Sequence, residues 1–274
     1  MPSLDQLLSS GRKPLWLDYG DYAGALLANG KAPWLDVSAF VAWQRKAQGL
    51  LKSDVIALPV AAVCAAWLAV NPSLREAMAA KSRAVFPLKT LLADEALRAH
   101  LVELAKGLRA CFAELPLALV CPSPRRWVAE AWQQARGADE EVEVGDDEAD
   151  SASVYLADFL RSFGDAGIDV LLLQESDGSE PESTAQLELY QPVLNVAAHY
   201  RWNTGLGAPA GRLADAGGFG LLVAPSAGSG RIVPTDFWSG GSAPALPAQG
   251  LHYATIPVDA QPESVLQRLA DLRA

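Results

Sequence analysis

The chain has 274 residues, half of them apolar, and a formal net charge of −10, so it is long enough to bury one large core. The acidic balance argues against a nucleic-acid partner, because phosphate binding requires clustered Lys and Arg. The first residues lack a signal-peptide pattern, and no apolar run reaches the roughly 18 residues of a membrane span. The sequence therefore predicts a cytoplasmic protein without a nucleic-acid or membrane partner.

Short apolar runs alternate with helix-like segments, which is the pattern of βαβ units around a parallel sheet. Eight runs are predicted as strands: 14–18, 54–58, 117–121, 169–173, 201–205, 219–224, 231–235 and 252–257. Helical spacing of apolar residues predicts helices over 38–50, 94–115, 154–166, 185–200 and 263–272. This alternation predicts an α/β fold: one (β/α)8 TIM barrel over residues 1–274.

The second half of the chain carries fewer helix signals than the first. Between 205 and 252 only 208–216 has a helix-like pattern, and 217–250 is rich in Gly, Pro and Ser. The sequence therefore predicts an incomplete, loop-rich second half of the barrel.

An acidic run occupies 137–150, with eight Asp and Glu residues and no basic residue. Its low apolar content predicts a solvated loop, and a docking segment for a basic partner is the alternative. Cys64, Cys111 and Cys121 are scattered without a C-x-x-C pair. They are predicted to be buried free thiols, not a disulfide framework or a zinc site, and no cofactor is expected.

Three segments resemble the superfamily that joins uroporphyrinogen decarboxylase to cobalamin-independent methionine synthase. KPLWLDYGDY at 13–22 resembles the first strand and loop of the decarboxylases, and LVCPSPRRW at 119–127 resembles their third strand and its turn. YLADFLRSFGDAGIDVLLLQES at 155–176 resembles a helix, a turn and a strand that ends in an acidic residue. The resemblance covers roughly 14–200 and implies a barrel enzyme of carboxyl or one-carbon chemistry.

Two departures from that superfamily narrow the function. The decarboxylases place an Arg-rich segment after the first strand, whereas this chain has acidic Asp18 and Asp21 there. The methionine synthases bind zinc through a His-x-Cys pair and a distant Cys, and the corresponding stretch 200–206, YRWNTGL, has neither ligand. Tetra-acidic porphyrinogen and zinc-activated thiols are therefore not the expected substrates.

Candidate catalytic residues follow predicted strands, at the edge where barrel enzymes gather catalytic groups. Glu175 is predicted to be a general base or a hydrogen-bonding anchor, with an ordinary polar strand end as the alternative. Asp18 ends the first strand and is predicted to be a catalytic acid or base. Tyr22 follows in the loop and is predicted to bind the substrate. The alternative is that this segment only forms a turn, which Asp and Gly favour.

Two arginines are candidates for substrate binding. Arg125 and Arg126 open a predicted helix and suit an anionic ligand, although solvated surface arginines are the alternative. We expect one of them to share a single concave pocket with Glu175 and Asp18. The small residues of 226–231 (SAGSGR) favour a flexible lid or a plain linker over a phosphate loop.

Together these observations predict a metal-independent enzyme that acts on a small organic acid. The reaction is decarboxylation, as in a lyase, or methyl transfer, as in a methyltransferase. The alternative is a non-catalytic barrel that binds a metabolite or a partner protein. A deep cavity favours the enzyme, and a cavity filled by large side chains favours the binding protein.

Overall fold

The computed structural model describes residues 4–274, and all eight predicted strands are present. Most carry apolar side chains on both faces, as expected for parallel strands covered on both sides. The strands are β1 (Leu15–Asp18), β2 (Ile56–Pro59), β3 (Leu117–Pro122), β4 (Val170–Gln174), β5 (Asn203–Gly207), β6 (Leu221–Ala224), β7 (Gly230–Ile232) and β8 (Leu251–Thr255). They form one sheet in the order β1-β8-β7-β6-β5-β4-β3-β2, and every paired neighbour is parallel.

One backbone hydrogen bond and two side chains close the barrel between β1 and β2, where the described residues form no ladder. The backbone N–H of Asp54 donates to the carbonyl of Leu15 (2.8 Å), and the Asp54 carboxylate accepts the Leu15 N–H (2.8 Å). The Ser53 hydroxyl accepts the Leu17 N–H at 3.0 Å and donates to the carbonyl of Val55 at 2.8 Å. The predicted (β/α)8 barrel is thereby confirmed, with one seam that depends on Ser53 and Asp54.

Helices surround the barrel mainly along its first half. They are α1 (Leu4–Leu8), α2 (Gly20–Ala28), α3 (Val37–Leu51), α4 (Val60–Val70), α5 (Pro72–Met78), α6 (Phe86–Leu92), α7 (Glu95–Cys111), α8 (Pro124–Arg136), α9 (Asp146–Leu160), α10 (Gln191–Tyr200) and α11 (Pro262–Arg273). Several begin at side-chain caps; the Ser123 hydroxyl, for example, accepts the N–H of Arg126 at 3.1 Å, and Pro124 occupies the first turn of α8. Within residues 4–274, no helix is both long and apolar enough to cross a membrane.

The loop-rich second half is confirmed, but the helix predicted over 208–216 is wrong. This segment forms turns because its backbone N–H groups bind a buried carboxylate instead of helical carbonyls. Glu180 accepts the N–H of Ala210 at 2.8 Å and the N–H of Arg212 at 2.6 Å. The helix predicted over 185–200 is a 3₁₀ helix, Thr184–Tyr190, followed by α10, whose Pro192 interrupts the hydrogen-bond ladder.

The acidic run is a loop only over 137–145, because α9 begins at Asp146. The prediction of a loop through residue 150 is therefore wrong. Asp146, Asp147 and Glu148 form the first turn of α9, where carboxylates interact favourably with the helix dipole. Glu148 also accepts the N–H of Gly145 at 3.1 Å, which fixes the start of the helix.

Alternate residues of each strand face the barrel axis or the helices. In β4, Val170 and Leu172 belong to the inner apolar cluster, whereas Leu171 and Leu173 belong to the larger cluster beneath the helices. Leu4 of α1 joins the inner cluster and covers the amino ends of the strands. The opposite end, where the strands terminate, is the mouth of the barrel.

Candidate functional site

The inward-facing residues at the strand ends enclose a cavity of about 70 Å³ at the barrel mouth. Asp18 enters from β1, Gln174 from β4 and Tyr253 from β8. Tyr19 and Trp34 complete the rim from the loops on either side of α2. We call this space the mouth cavity.

Asp18 is the carboxylate that lines the mouth cavity. Its side chain is exposed to solvent at the open end of the barrel, yet the protein atoms around the mouth partly desolvate the carboxyl and raise its pKa above its usual range. The nearby charge of Asp21 raises the pKa further, while the backbone N–H of Gly20 and the hydroxyl of Thr255 oppose the shift. The Thr255 hydroxyl is 3.4 Å from Asp18 Oδ2, so this hydrogen bond is long.

Two phenols border Asp18 and keep their protons. Burial, reinforced by the charge of Asp18, raises the pKa of both Tyr19 and Tyr253 well above that of free tyrosine. Tyr19 donates to Gln44 Oε1 at 2.8 Å, whereas the Tyr253 hydroxyl accepts from Gln174 Nε2 at 2.7 Å. Among the described residues, the Tyr253 hydroxyl hydrogen has no acceptor, which leaves it available to a ligand.

Glu175 lies beside this cavity but faces the helices. Because Gln174 points inward, Glu175 points outward, and its side chain is only 3% exposed. Its Oε2 accepts from the hydroxyls of Ser123 (2.5 Å) and Ser179 (2.6 Å), and its Oε1 accepts from Tyr190 (2.7 Å). Desolvation raises the pKa of this carboxyl, although the three hydroxyl donors and the charge of Arg125 oppose the shift.

Arg125 and Arg126 line a separate open groove of about 440 Å³ between α8 and the loop after β4. Arg125 donates to the carbonyl of Val144 at 3.1 Å and to Asp146 Oδ1 at 2.6 Å. Arg126 donates to Glu130 Oε1 at 2.5 Å. Both arginines therefore already have carboxylate partners.

Arg126 nevertheless interacts electrostatically with residues of the mouth cavity. It donates through Nη1 to the backbone carbonyl of Glu175 at 3.4 Å, next to Gln174. Its positive charge lowers the pKa of both Asp18 and Tyr253 relative to the effect of burial alone. Arg126 is thus a cation at the edge of the mouth.

The structure does not bring the predicted residues into one pocket. Asp18 lines the mouth cavity, Glu175 lies in the hydroxyl cluster behind it, and Tyr22 is buried in the helical layer. Burial and the neighbouring Glu263 raise the pKa of Tyr22, so its surroundings belong to α11 and not to the mouth. Among the cavity residues that sequence analysis missed are Trp16, Trp34, Gln174 and Tyr253.

Segment 226–231 and two histidines form hydrogen bonds within the fold and are not part of the mouth cavity. Segment 226–231 is a turn into β7, where Arg231 donates to the carbonyl of Gly228 at 2.9 Å, which fits the linker interpretation. His100 Nε2 bonds to the carbonyl of Trp34 at 2.8 Å, and His252 Nε2 bonds to the carbonyl of Pro244 at 2.9 Å. Neither histidine lines the mouth cavity.

Cys64 and Cys121 are buried in the helical layer. Burial raises the pKa of the Cys64 thiol to about 12 and that of the Cys121 thiol well above its usual value. Both are therefore neutral thiols at physiological pH. Among residues 4–274, no three His, Cys, Asp or Glu side chains are grouped to hold a metal ion.

No protein-family model matches this sequence, and comparison with curated proteins finds no match. Among solved structures, a methyltransferase from Methanosarcina mazei is similar over 100% of this chain and 98% of its own, with 14% identity and a TM-score of 0.59. A pneumococcal exo-β-D-N-acetylglucosaminidase structure is similar over 98% and 85%, with 8% identity and a TM-score of 0.46. At such identities, the first similarity shows a shared barrel fold and the second supports no argument.

Proposed function

We propose that this protein is a barrel enzyme that acts on a small organic acid in the mouth cavity, by decarboxylation or methyl transfer. The observation that supports this best is the carboxyl of Asp18, which lines the mouth cavity where barrel enzymes place catalytic groups and has a raised pKa. The sequence resemblance to the decarboxylase and methionine synthase superfamily supports the same chemistry. So does the name of the Methanosarcina mazei neighbour, a methyltransferase.

Asp18 is the proposed acid and base. In decarboxylation, the bond between the substrate carbon and its carboxylate breaks, carbon dioxide leaves, and the electron pair remains on that carbon. The protonated Asp18 then delivers its proton there, and its raised pKa retains that proton at a higher pH than an ordinary carboxyl would. The free hydroxyl hydrogen of Tyr253 stabilises the developing negative charge.

In methyl transfer, ionised Asp18 has the opposite role. Asp18 accepts the proton of the nucleophile while the methyl group is transferred to that nucleophile. The bond between the methyl group and its donor breaks, and the leaving group keeps the electron pair of that bond. We propose that neither reaction uses a metal ion, which fits the neutral, buried state of Cys64 and Cys121. Metal analysis of the purified protein, with turnover measured after chelation, tests this point.

Glu175 has a positioning role in this proposal, because it lies outside the wall of the mouth cavity and three hydroxyls already bond to its carboxylate. Its hydrogen bonds connect the carboxyl ends of β3 and β4. This keeps β4 in place and the side chain of Gln174 pointing into the barrel. Arg126 is the proposed contact for the substrate carboxylate, given its charge at the edge of the mouth. Arg125 and Tyr22 support neighbouring elements.

A non-catalytic binding protein is the second candidate, and the size of the cavity favours it. Trp16, Trp34 and Tyr253 occupy much of the mouth and leave about 70 Å³. Filling by large side chains is the feature expected of a barrel that binds a ligand without transforming it.

Turnover measurements distinguish the two candidates. Purified protein is incubated with a panel of small organic acids, with and without methyl donors, and mass spectrometry detects loss of carbon dioxide or transfer of a methyl group. Turnover that disappears in Asp18→Asn supports the enzyme. A ligand that binds in the mouth cavity without being consumed supports the binding protein and overturns the enzyme proposal.

A further inference from the structure

Four aromatic residues belong to the wall of the mouth cavity. Trp16, Tyr19, Trp34 and Tyr253 line it together with a single carboxylate, that of Asp18. The faces of aromatic rings are electron-rich and attract cations that lie within about 6 Å of the ring centre. Such a wall favours a weakly hydrated cation, because that cation loses little hydration free energy when it leaves water for the cavity.

The rings are held in place before any ligand arrives. The rings of Trp16 and Tyr253 pack edge to face with centroids 5.8 Å apart. Trp34 packs against Trp43 at 5.5 Å, and its backbone carbonyl is bonded to His100 at 2.8 Å. Because these contacts already fix the wall, a ligand does not have to order it, and this favours binding.

Asp18 supplies the complementary charge. No Lys or Arg belongs to the described wall of the cavity, and the carboxylate has only the long 3.4 Å contact with Thr255 from a side chain. A carboxylate that lines a cavity with so few partners is stabilised by a cation placed beside it. The interior of the cavity therefore favours positive charge, whereas Arg126 places a positive charge outside, at its edge.

The remaining wall favours methyl groups over N–H groups on that cation. Leu17, Ala57, Pro59 and Val120 present hydrocarbon, and the Tyr253 hydroxyl already accepts from Gln174 Nε2, so what it still offers a ligand is a donor hydrogen, which cannot accept an N–H. A primary ammonium has three N–H donors to satisfy, whereas a methylated ammonium has none or one. The volume of about 70 Å³ corresponds to roughly two waters at their liquid volume, so the cavity admits only the compact cationic end of a ligand and leaves the rest outside.

We infer that the mouth cavity binds a methylated ammonium group, and that the substrate is a small zwitterion of the betaine type. Its ammonium group contacts the aromatic rings and Asp18, and its carboxylate faces outward to Arg126. This inference rests on the proposed function in its methyl-transfer form, in which Asp18 is ionised, and it specifies the class of organic acid. It gives the two charged residues complementary roles, one for each end of the ligand.

The test is a pair of probes that differ in one atom. Trimethylglycine carries the cation and the carboxylate, while 3,3-dimethylbutyrate has the same shape and the same carboxylate with carbon in place of nitrogen. Binding of each to the full chain is measured by isothermal titration calorimetry. We expect trimethylglycine to bind at least 10-fold more tightly, because only it has the charge for the rings and Asp18.

Variants locate that preference in the cavity. Asp18→Asn keeps the size of the side chain and removes its charge, and Trp34→Leu keeps an apolar group and removes a ring. Each is expected to reduce the preference for trimethylglycine to within about 3-fold. Asp21→Asn is the matched control, since Asp21 is an exposed acid of the same segment outside the cavity wall, and it should keep the preference. Circular dichroism confirms that each variant is folded.

The outcomes separate this inference from the proposed function. Equal binding of the two probes, or binding of neither, overturns the ammonium site, and the turnover panel then decides the enzyme proposal independently. Selective binding of trimethylglycine that survives both Asp18→Asn and Trp34→Leu also overturns it, because the cation then lies elsewhere. Selective, cavity-dependent binding without turnover of any acid supports the ammonium site and overturns the proposed enzyme.

Discussion

Two carboxylates at strand ends of the same barrel have opposite surroundings. Glu175, after β4, is buried and accepts hydrogen bonds from the hydroxyls of Ser123, Ser179 and Tyr190. Asp18, on β1, opens into a cavity and has one long side-chain hydrogen bond. Burial raises the pKa of both, so a perturbed pKa alone does not separate a catalytic carboxyl from a structural one. The availability of the carboxylate oxygens to a ligand does separate them.

The largest effect is expected from Asp18→Asn. If Asp18 moves the proton of the reaction, turnover should fall about 100-fold or more, the range of general acid/base groups. Stability at neutral pH should be unchanged or increased, because the substitution removes a desolvated charge. Steady-state kinetics and thermal unfolding measure the two effects. Full turnover in a folded Asp18→Asn variant would contradict the role given to Asp18.

The next effect is on stability, at the other carboxylate. Glu175→Ala leaves two buried hydroxyls, those of Ser123 and Tyr190, and the half-buried hydroxyl of Ser179 without their acceptor, and should cost about 3 kcal/mol of unfolding free energy. Urea unfolding measures this loss, and Glu188→Ala, an exposed position in the same 3₁₀ segment, is the control with a change near zero. A Glu175→Ala variant as stable as its control would show that the hydroxyl cluster is not structural.

A single donor of that cluster has a smaller effect. Tyr190→Phe removes the 2.7 Å hydrogen bond to Glu175 and keeps the buried ring, so we expect a loss of about 1 kcal/mol. Turnover should change little if the cluster only positions β4. A large fall in turnover with unchanged stability would move Glu175 from the structural to the catalytic group.

The smallest effect is a pH dependence. Because the folded pKa of Glu175 is raised above its unfolded value, its contribution to stability is complete at low pH, and it is lost as pH rises through the folded pKa. The stability of the protein relative to Glu175→Gln should therefore decline as pH rises above about 4, the usual range of a carboxyl. Urea midpoints across a pH series test the sign. A relative stability that increases with pH would mean that the pKa is lowered, not raised.

The sequence predicted the strands because each is a short apolar run, but it did not predict which side chains face inward. Residues 170–173 read Val-Leu-Leu-Leu, so both faces of β4 are equally apolar, and alternation cannot show whether Gln174 or Glu175 enters the barrel. Gln174 carried a signal nevertheless, as a polar residue still within the strand. Trp34 lies in a loop, where no periodicity assigns it to a site.

The sequence also did not predict where some loops end and helices begin. The acidic run was predicted as a loop on composition, yet the structure uses its second part as the first turn of α9. Carboxylates are favourable at a helix start as well as in solvent, so composition alone did not separate the two. The turns at 208–216 depend on Glu180, which lies far away in sequence and gives no local signal.

The seam between β1 and β2 provides a reporter of local motion. The amide of Leu17 is held by the hydroxyl of Ser53 and not by a strand partner, and Leu17 precedes Asp18. A change in the Ser53 side-chain rotamer moves the acceptor oxygen and releases this amide, whereas an amide within a ladder requires the separation of strands. Hydrogen exchange at Leu17 should thus be faster than at the neighbouring ladders. A ligand that occupies the mouth beside Asp18 should slow it, which makes binding visible without an assay of turnover.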